Sequence, residues 1–71
     1  MKSISITTDY ITLGQFLKLA NCVSTGGHAK IFLQETTIRV NQEMENRRGK
    51  KLVPGDIVQV DGCGTFQVVR S

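Results

Sequence analysis

The amino-acid sequence predicts an α+β fold in which two short helices pack on one side of a small, mostly antiparallel β-sheet. Three observations predict it. Apolar and polar residues alternate with period two near the start of the chain and again in its second half, as half-buried strands do. Between them, two segments carry apolar residues at helical spacing. Pro-Gly and Asp-Gly pairs punctuate the second half where strands would reverse. Two helices layered on one face of a sheet is the natural two-layer solution for that order of elements.

The elements follow in sequence. Lys2-Ser3-Ile4-Ser5-Ile6 alternates and reads as a strand, and Thr7-Thr8-Asp9 breaks the pattern. Thr12 with Gln15 three positions later is a capping box, and Ile11 and Phe16 stand at the positions of a hydrophobic staple. Leu13, Phe16, Leu17 and Ala20 then form one helical stripe, with Lys18 off it and Asn21 ending the helix. Ser24-Thr25-Gly26-Gly27 opens a second helix with a body from His28 to about Gln34. Its apolar residues Ala29, Ile31, Phe32 and Leu33 must pack on the first helix, because so short a helix does not stand alone. Ile38-Arg39-Val40-Asn41 alternates again, and the polar run from Gln42 to Lys51 reads as a loop or an exposed hairpin arm. Val53-Pro54-Gly55-Asp56 suits a type II turn, Ile57–Val60 a strand, Asp61-Gly62 a hairpin, and Thr65–Val69 the returning strand.

The 71 residues allow one domain, read here as spanning residues 1–71. A chain of this size buries roughly 60% of its unfolded surface, which favours function on an outer face over a deep active site. The net charge is +3, and seven of the nine Lys and Arg residues lie between Lys18 and Lys51 alongside three acids. The charge is therefore concentrated in one segment, as expected for an anionic partner.

Two features in that segment suit RNA. Ser24-Thr25-Gly26-Gly27-His28-Ala29-Lys30 places two glycines and a cation at a helix N-terminus, where free N–H groups and the helix dipole receive phosphate. The same glycines would also serve a plain helix–helix turn, and the spacing is not that of a nucleotide P-loop. Arg47-Arg48-Gly49-Lys50-Lys51 sets four cations around one glycine, a loop that can straddle phosphates and release counterions. A charge run also serves to protect a sheet edge. Lys18, Lys30 and Arg39 in the same stretch favour the nucleic-acid reading.

Other chemistries lack their residues. His28 is the lone histidine, and no His/Cys cluster has metal spacing, so no metal or other cofactor is expected. Cys22 and His28 have no third orienting group, and the carboxylates are scattered, so no catalytic residue is expected and the chain reads as a non-enzyme. Cys22 and Cys63 read by default as buried free thiols, although their spacing leaves a disulfide open. No apolar run approaches the roughly 20 residues of a membrane span, and no apolar leader follows Met1-Lys2, so a cytoplasmic protein without membrane contact is expected. The three Phe fit a core, and no strand carries paired exposed aromatics. Shape and phosphate recognition of structured RNA therefore fits better than a single-strand stacking platform.

The ordered set Thr12-Leu13-x-x-Phe16-Leu17-Lys18, Ser24-x-Gly26-Gly27-x-Ala29-Lys30, Ile38-x-Val40-Asn41, Glu45-x-Arg47-Arg48-Gly49-Lys50-Lys51-Leu52 and Gly55-Asp56 resembles the alpha-L RNA-binding motif. This is the domain named after ribosomal small-subunit protein four. The Gly-Gly helix start and the Arg-Arg-Gly-Lys-Lys-Leu run are most similar to its short, stand-alone YaaA-type branch. The match covers about residues 11–60.

The resemblance implies a basic face, made by the two helices and the following strand and loop, that docks on structured RNA. Its RNA-facing residues would be Lys18, Ser24, Thr25, Gly26, Lys30, Arg39, Asn41, Arg47, Arg48, Lys50 and Lys51. The branch points to ribosomal RNA of the large subunit and to ribosome assembly; separately, a monomer is expected. Related readings are a stalled-ribosome rescue factor, a tRNA binder, or a small protein-interaction adaptor. The chain departs from the family pattern at Gln42, where relatives often carry Gly after the Asn, and at Thr36, where a turn Gly is common.

Overall fold

A computed structural model describes all residues, 1–71. Strand β1 (Lys2–Ile6) is followed by the two-residue β2 (Ile11–Thr12) and helix α1 (Leu13–Leu19). Helix α2 (Gly26–Glu35), β3 (Ile38–Val40), β4 (Glu43–Met44), β5 (Lys51–Leu52), β6 (Ile57–Val60) and β7 (Gly64–Arg70) complete the chain. The main sheet has the order β1-β7-β6-β3-β4, and β2 pairs with β5 in a separate ladder. All pairings are antiparallel except β1 with β7, which run parallel from Lys2 beside Phe66 to Ile6 beside Arg70. The expected α+β class and mostly antiparallel sheet hold.

Alternation decides which face of the sheet is covered. Ile6, Ile38, Val40, Val58, Val60, Phe66 and Val68 are buried and meet Leu13, Phe16, Leu17, Ala29 and Leu33 from the helices. Phe16 packs edge-on to Phe66, ring centroids 5.7 Å apart, and ties α1 to the centre of the sheet. The intervening strand residues Ser3, Arg39, Gln59 and Thr65 turn to the opposite face, which no helix covers.

The capping box forms as expected. The Gln15 N–H donates to Thr12 Oγ1 at 3.3 Å, and the Thr12 N–H donates to Gln15 Oε1 at 3.2 Å. Asn21 follows the end of α1 in the left-handed region at φ 60°. Helix α2 starts two residues before the expected His28. Thr25 is its N-cap, taking the His28 N–H at 3.1 Å, so both glycines lie inside the first turn. Its C-cap Thr36 is extended at φ −121°, so no glycine is required there.

Two further features have local causes. Of the two readings of the run after β3, a loop or a hairpin arm, the chain forms the hairpin, and its turn into β4 keeps its shape despite lacking the family's glycine, with Asn41 and Gln42 at φ 51° and 73°. These angles are the ones an Asn-Gly pair adopts in a two-residue hairpin, so the turn survives with Gln in the glycine position. Asn41 contributes to this by donating from Nδ2 to Asp56 Oδ1 at 3.0 Å and accepting the Ile57 N–H at 2.9 Å. The second feature corrects the reading of free thiols: Cys22 and Cys63 are joined in a disulfide. The turn at Asn21 brings Cys22 against the β6–β7 turn that carries Cys63, leaving the two Cα atoms 6.1 Å apart. The Pro54-Gly55 turn is as expected, with Gly55 at φ 100° and the Asp56 N–H donating to Val53 O at 3.0 Å.

Candidate nucleic-acid interface

A short helix leaves its first N–H groups without intrahelical partners. In α1 the basic loop satisfies them. The Leu13 N–H donates to Lys50 O at 2.8 Å and the Gly14 N–H to Arg48 O at 2.9 Å. The Arg47–Lys50 loop is thus fixed on the start of α1 by its own backbone. A turn bond from the Lys50 N–H to Arg47 O at 3.2 Å closes it. Gly14 is buried beneath it, and a Cβ there would lie 3.6 Å from Arg48 Cγ. The loop's cations are therefore presented from a held frame.

Helix α2 is different. Thr25 accepts from His28 through its side chain and from Ala29 through its carbonyl, but the N–H groups of Gly26 and Gly27 have no partner within the chain. Gly26 lies across a shallow depression from the basic loop. Thr12, Gly14, Gln15, Lys18, Gly26, Arg48 and Gly49 line it, and no acid does. Lys18 from α1, the free N-terminus of α2 and Arg48 from the loop thus converge on one solvent-facing spot. Lys30 is exposed one turn along α2 from Gly26, on the same side of that helix. Ser24 and Thr25 lead into it.

The remaining expected residues are placed less uniformly. Lys50 and Lys51 flank a second depression with Asn41, but Glu43, Glu45 and Asp56 line it too, so its charge is mixed. Asn41 spends its side chain bracing the β3–β4 turn, as described above. Arg47 is held by Glu45, with Nε to Oε2 at 3.0 Å and Nη2 to Oε1 at 3.1 Å, and its backbone N–H reaches Oε2 as well. That side-chain hydrogen bond from Arg47 lowers the Glu45 carboxyl pKa to about 2. Arg39 stands on the uncovered sheet face between Met44 and Gln59, away from the helices. The structure therefore brings together Lys18, Gly26 and Arg48, with Lys30 beside them, and does not gather Arg39 with that group.

Thr12, Gly14, Gln15 and Gly49 line the same depression and did not emerge from the sequence as site residues. A glycine inside a helical pattern marks a close backbone approach, and Gly14 was the available signal.

The profile of the S4 domain family matches residues 4–69. The chain is also similar to a protein of Bacillus subtilis (strain 168) named "Probable ribosome maturation protein RlbA", with 59% identity over 67 residues, 94% of either chain.

Proposed function

The chain belongs to the S4 domain family, and on that premise we propose that it is a non-catalytic RNA-binding protein acting in maturation of the large ribosomal subunit. The observation that carries this reading is the acid-free depression where Lys18, the α2 N-terminus at Gly26 and Arg48 meet. Two exposed cations and a pair of free N–H groups on a held backbone frame suit phosphate oxygens of a folded RNA. The name of the Bacillus relative supports maturation over rescue of stalled ribosomes. Of the remaining expected residues, Ser24, Thr25, Lys30, Lys50 and Lys51 extend the contact along the helices and loop, while Asn41 and Arg47 serve it by bracing the β3–β4 turn and by pairing with Glu45. Arg39, on β3 between β6 and β4, lies outside this footprint. No helix is long and apolar enough to cross a membrane. We place the protein in the cytoplasm, as a monomer of one domain, with the ribosomal precursors it would bind.

Sedimentation of a lysate through a density gradient tests this. At low salt the protein is expected with large subunits or their precursors, and at high salt, or with Lys18→Gln and Arg48→Gln combined, in the light fractions. Migration with small subunits would redirect the target, and light fractions at low salt would overturn the ribosomal reading.

A further inference from the structure

Of the four aromatic side chains, three serve the core. Phe16 and Phe66 are buried, and Phe32 is half-buried against the core while meeting His28 edge-on. Tyr10 alone turns outward, 46% exposed. Its neighbour Ile11 points into the core, so Tyr10 and Thr12 on either side of it face the same way. Thr12 lines the acid-free depression, and Tyr10 lies about two extended residues, roughly 7 Å, along the chain from it.

Lys51 pairs with Thr12 across the β2–β5 ladder and sets its Nζ 4.8 Å from the Tyr10 ring centroid. That is cation–π distance. The segment is also held from behind. The Thr8 hydroxyl donates to Tyr10 O at 2.7 Å. The ring is therefore a positioned, half-open π surface at the end of the basic loop.

We propose that Tyr10, with Lys51, forms a stacking site for one unpaired nucleobase of the bound RNA. This rests on the RNA-binding reading above and deepens it. One ring takes one base, so the site does not make the chain a single-strand platform. Every base has a π-face, so the contact adds affinity without reading sequence. Lys51 covers part of the ring and leaves the remainder of its exposed surface to the base. The depression would then hold the neighbouring backbone, and a bulged or loop nucleotide beside a helix is the RNA feature that offers both groups together.

The sequence provides its own probe, because Tyr10 is the only tyrosine and the chain has no tryptophan. Intrinsic fluorescence therefore reports Tyr10 alone. The full chain is titrated with ribosomal RNA extracted from purified large subunits, with a free tyrosine amide titrated in parallel to correct for absorption. Binding is followed independently by filter retention. The proposal expects quenching that saturates with retention. Tyr10→Leu should bind roughly 5- to 150-fold more weakly, the range for losing one base–aromatic stack. Tyr10→Phe should stay within about twofold of the wild type, since the ring remains. The salt slope of Tyr10→Leu should match the wild type. A slope flattened by about 0.7–0.9 would instead show that the ring merely places Lys51 against a phosphate, and would overturn stacking. Unchanged fluorescence at saturating RNA, with Tyr10→Leu binding as well as the wild type, would also overturn it. Those outcomes leave the basic face intact if Lys18→Gln with Arg48→Gln still weakens binding. Loss of binding by none of these variants would overturn both.

Discussion

Replacing Lys18, Lys30 and Arg48 together by Gln should change how RNA affinity depends on salt while leaving the fold alone. All three side chains are exposed, and neither of the ion pairs in the protein includes them. The loop that carries Arg48 is held to α1 through the carbonyls of Arg48 and Lys50, which a side-chain change leaves in place. Stability should therefore shift by no more than about 0.5 kcal/mol per substitution. Each phosphate contact contributes about 0.7–0.9 to the slope of log affinity against log salt, so losing three flattens it by about 2.1–2.7. Between 50 and 200 mM salt, that difference makes the variant's deficit shrink by about 20- to 40-fold relative to the wild type. Filter binding with large-subunit RNA across that salt range gives the slopes directly. Arg39→Gln serves as the comparison, because Arg39 faces away from the helices and should leave the slope unchanged. An unaltered slope in the triple variant with an intact fold would refute the assignment of these side chains to phosphates. A slope changed by Arg39→Gln as much as by Arg48→Gln would move the RNA to the sheet face.

Three further outcomes follow from the geometry. Gln42→Gly removes a side chain from a φ of 73° and should raise stability by about 0.5–1 kcal/mol, the left-handed strain relieved exceeding the added unfolded-state freedom; thermal melting should show a rise of about 2–8 °C, and a lower melting temperature would contradict the strain. Glu45, lowered to about 2 chiefly by the side-chain hydrogen bond from Arg47, contributes stability that is fully present above its ordinary value of 4.5 and is lost as pH falls through about 2; NMR titration of its carboxyl carbon should show that midpoint in the wild type and a return toward the ordinary range in Arg47→Gln. Reducing the Cys22–Cys63 bridge, which closes a loop with sequence separation 41, should lower stability by about 2–4 kcal/mol in urea unfolding with and without reductant; equal midpoints would show that the bridge does not constrain the unfolded chain.

Much of this was legible in the sequence where the cause is local. Thr12 and Gln15 announce their capping box because the partners are three residues apart. Pro54-Gly55 announces its turn because the positive φ belongs to one residue. The alternation in Ile57–Val60 announces a buried face because side chains in a strand alternate. The cationic run from Arg47 to Lys51 is visible as composition. What stayed hidden depends on contacts between distant residues or on backbone atoms that any sequence possesses. The parallel pairing of β1 with β7 joins the two ends of the chain. The loop's attachment to α1 uses main-chain carbonyls, so neither Arg48 nor Lys50 carries a side-chain signal for it. Spacing alone could not show that the turn at Asn21 carries Cys22 to Cys63. Within the site, composition treated all the cations alike. The fold separates Arg39 onto the uncovered sheet face, pairs Arg47 with Glu45, and leaves Lys18, Lys30 and Arg48 free around the α2 N-terminus.

The central claim is that RNA docks on the side of the molecule built from α1, α2 and the basic loop. Ultraviolet cross-linking of the protein to RNA on isolated ribosomal particles, with the linked peptides mapped by mass spectrometry, tests it most directly. The account predicts links in the segments containing Thr12 to Lys18, Ser24 to Lys30 and Arg47 to Lys51. Links concentrated instead at Ser3, Arg39, Gln59 and Thr65 would place the RNA on the open sheet face and contradict it.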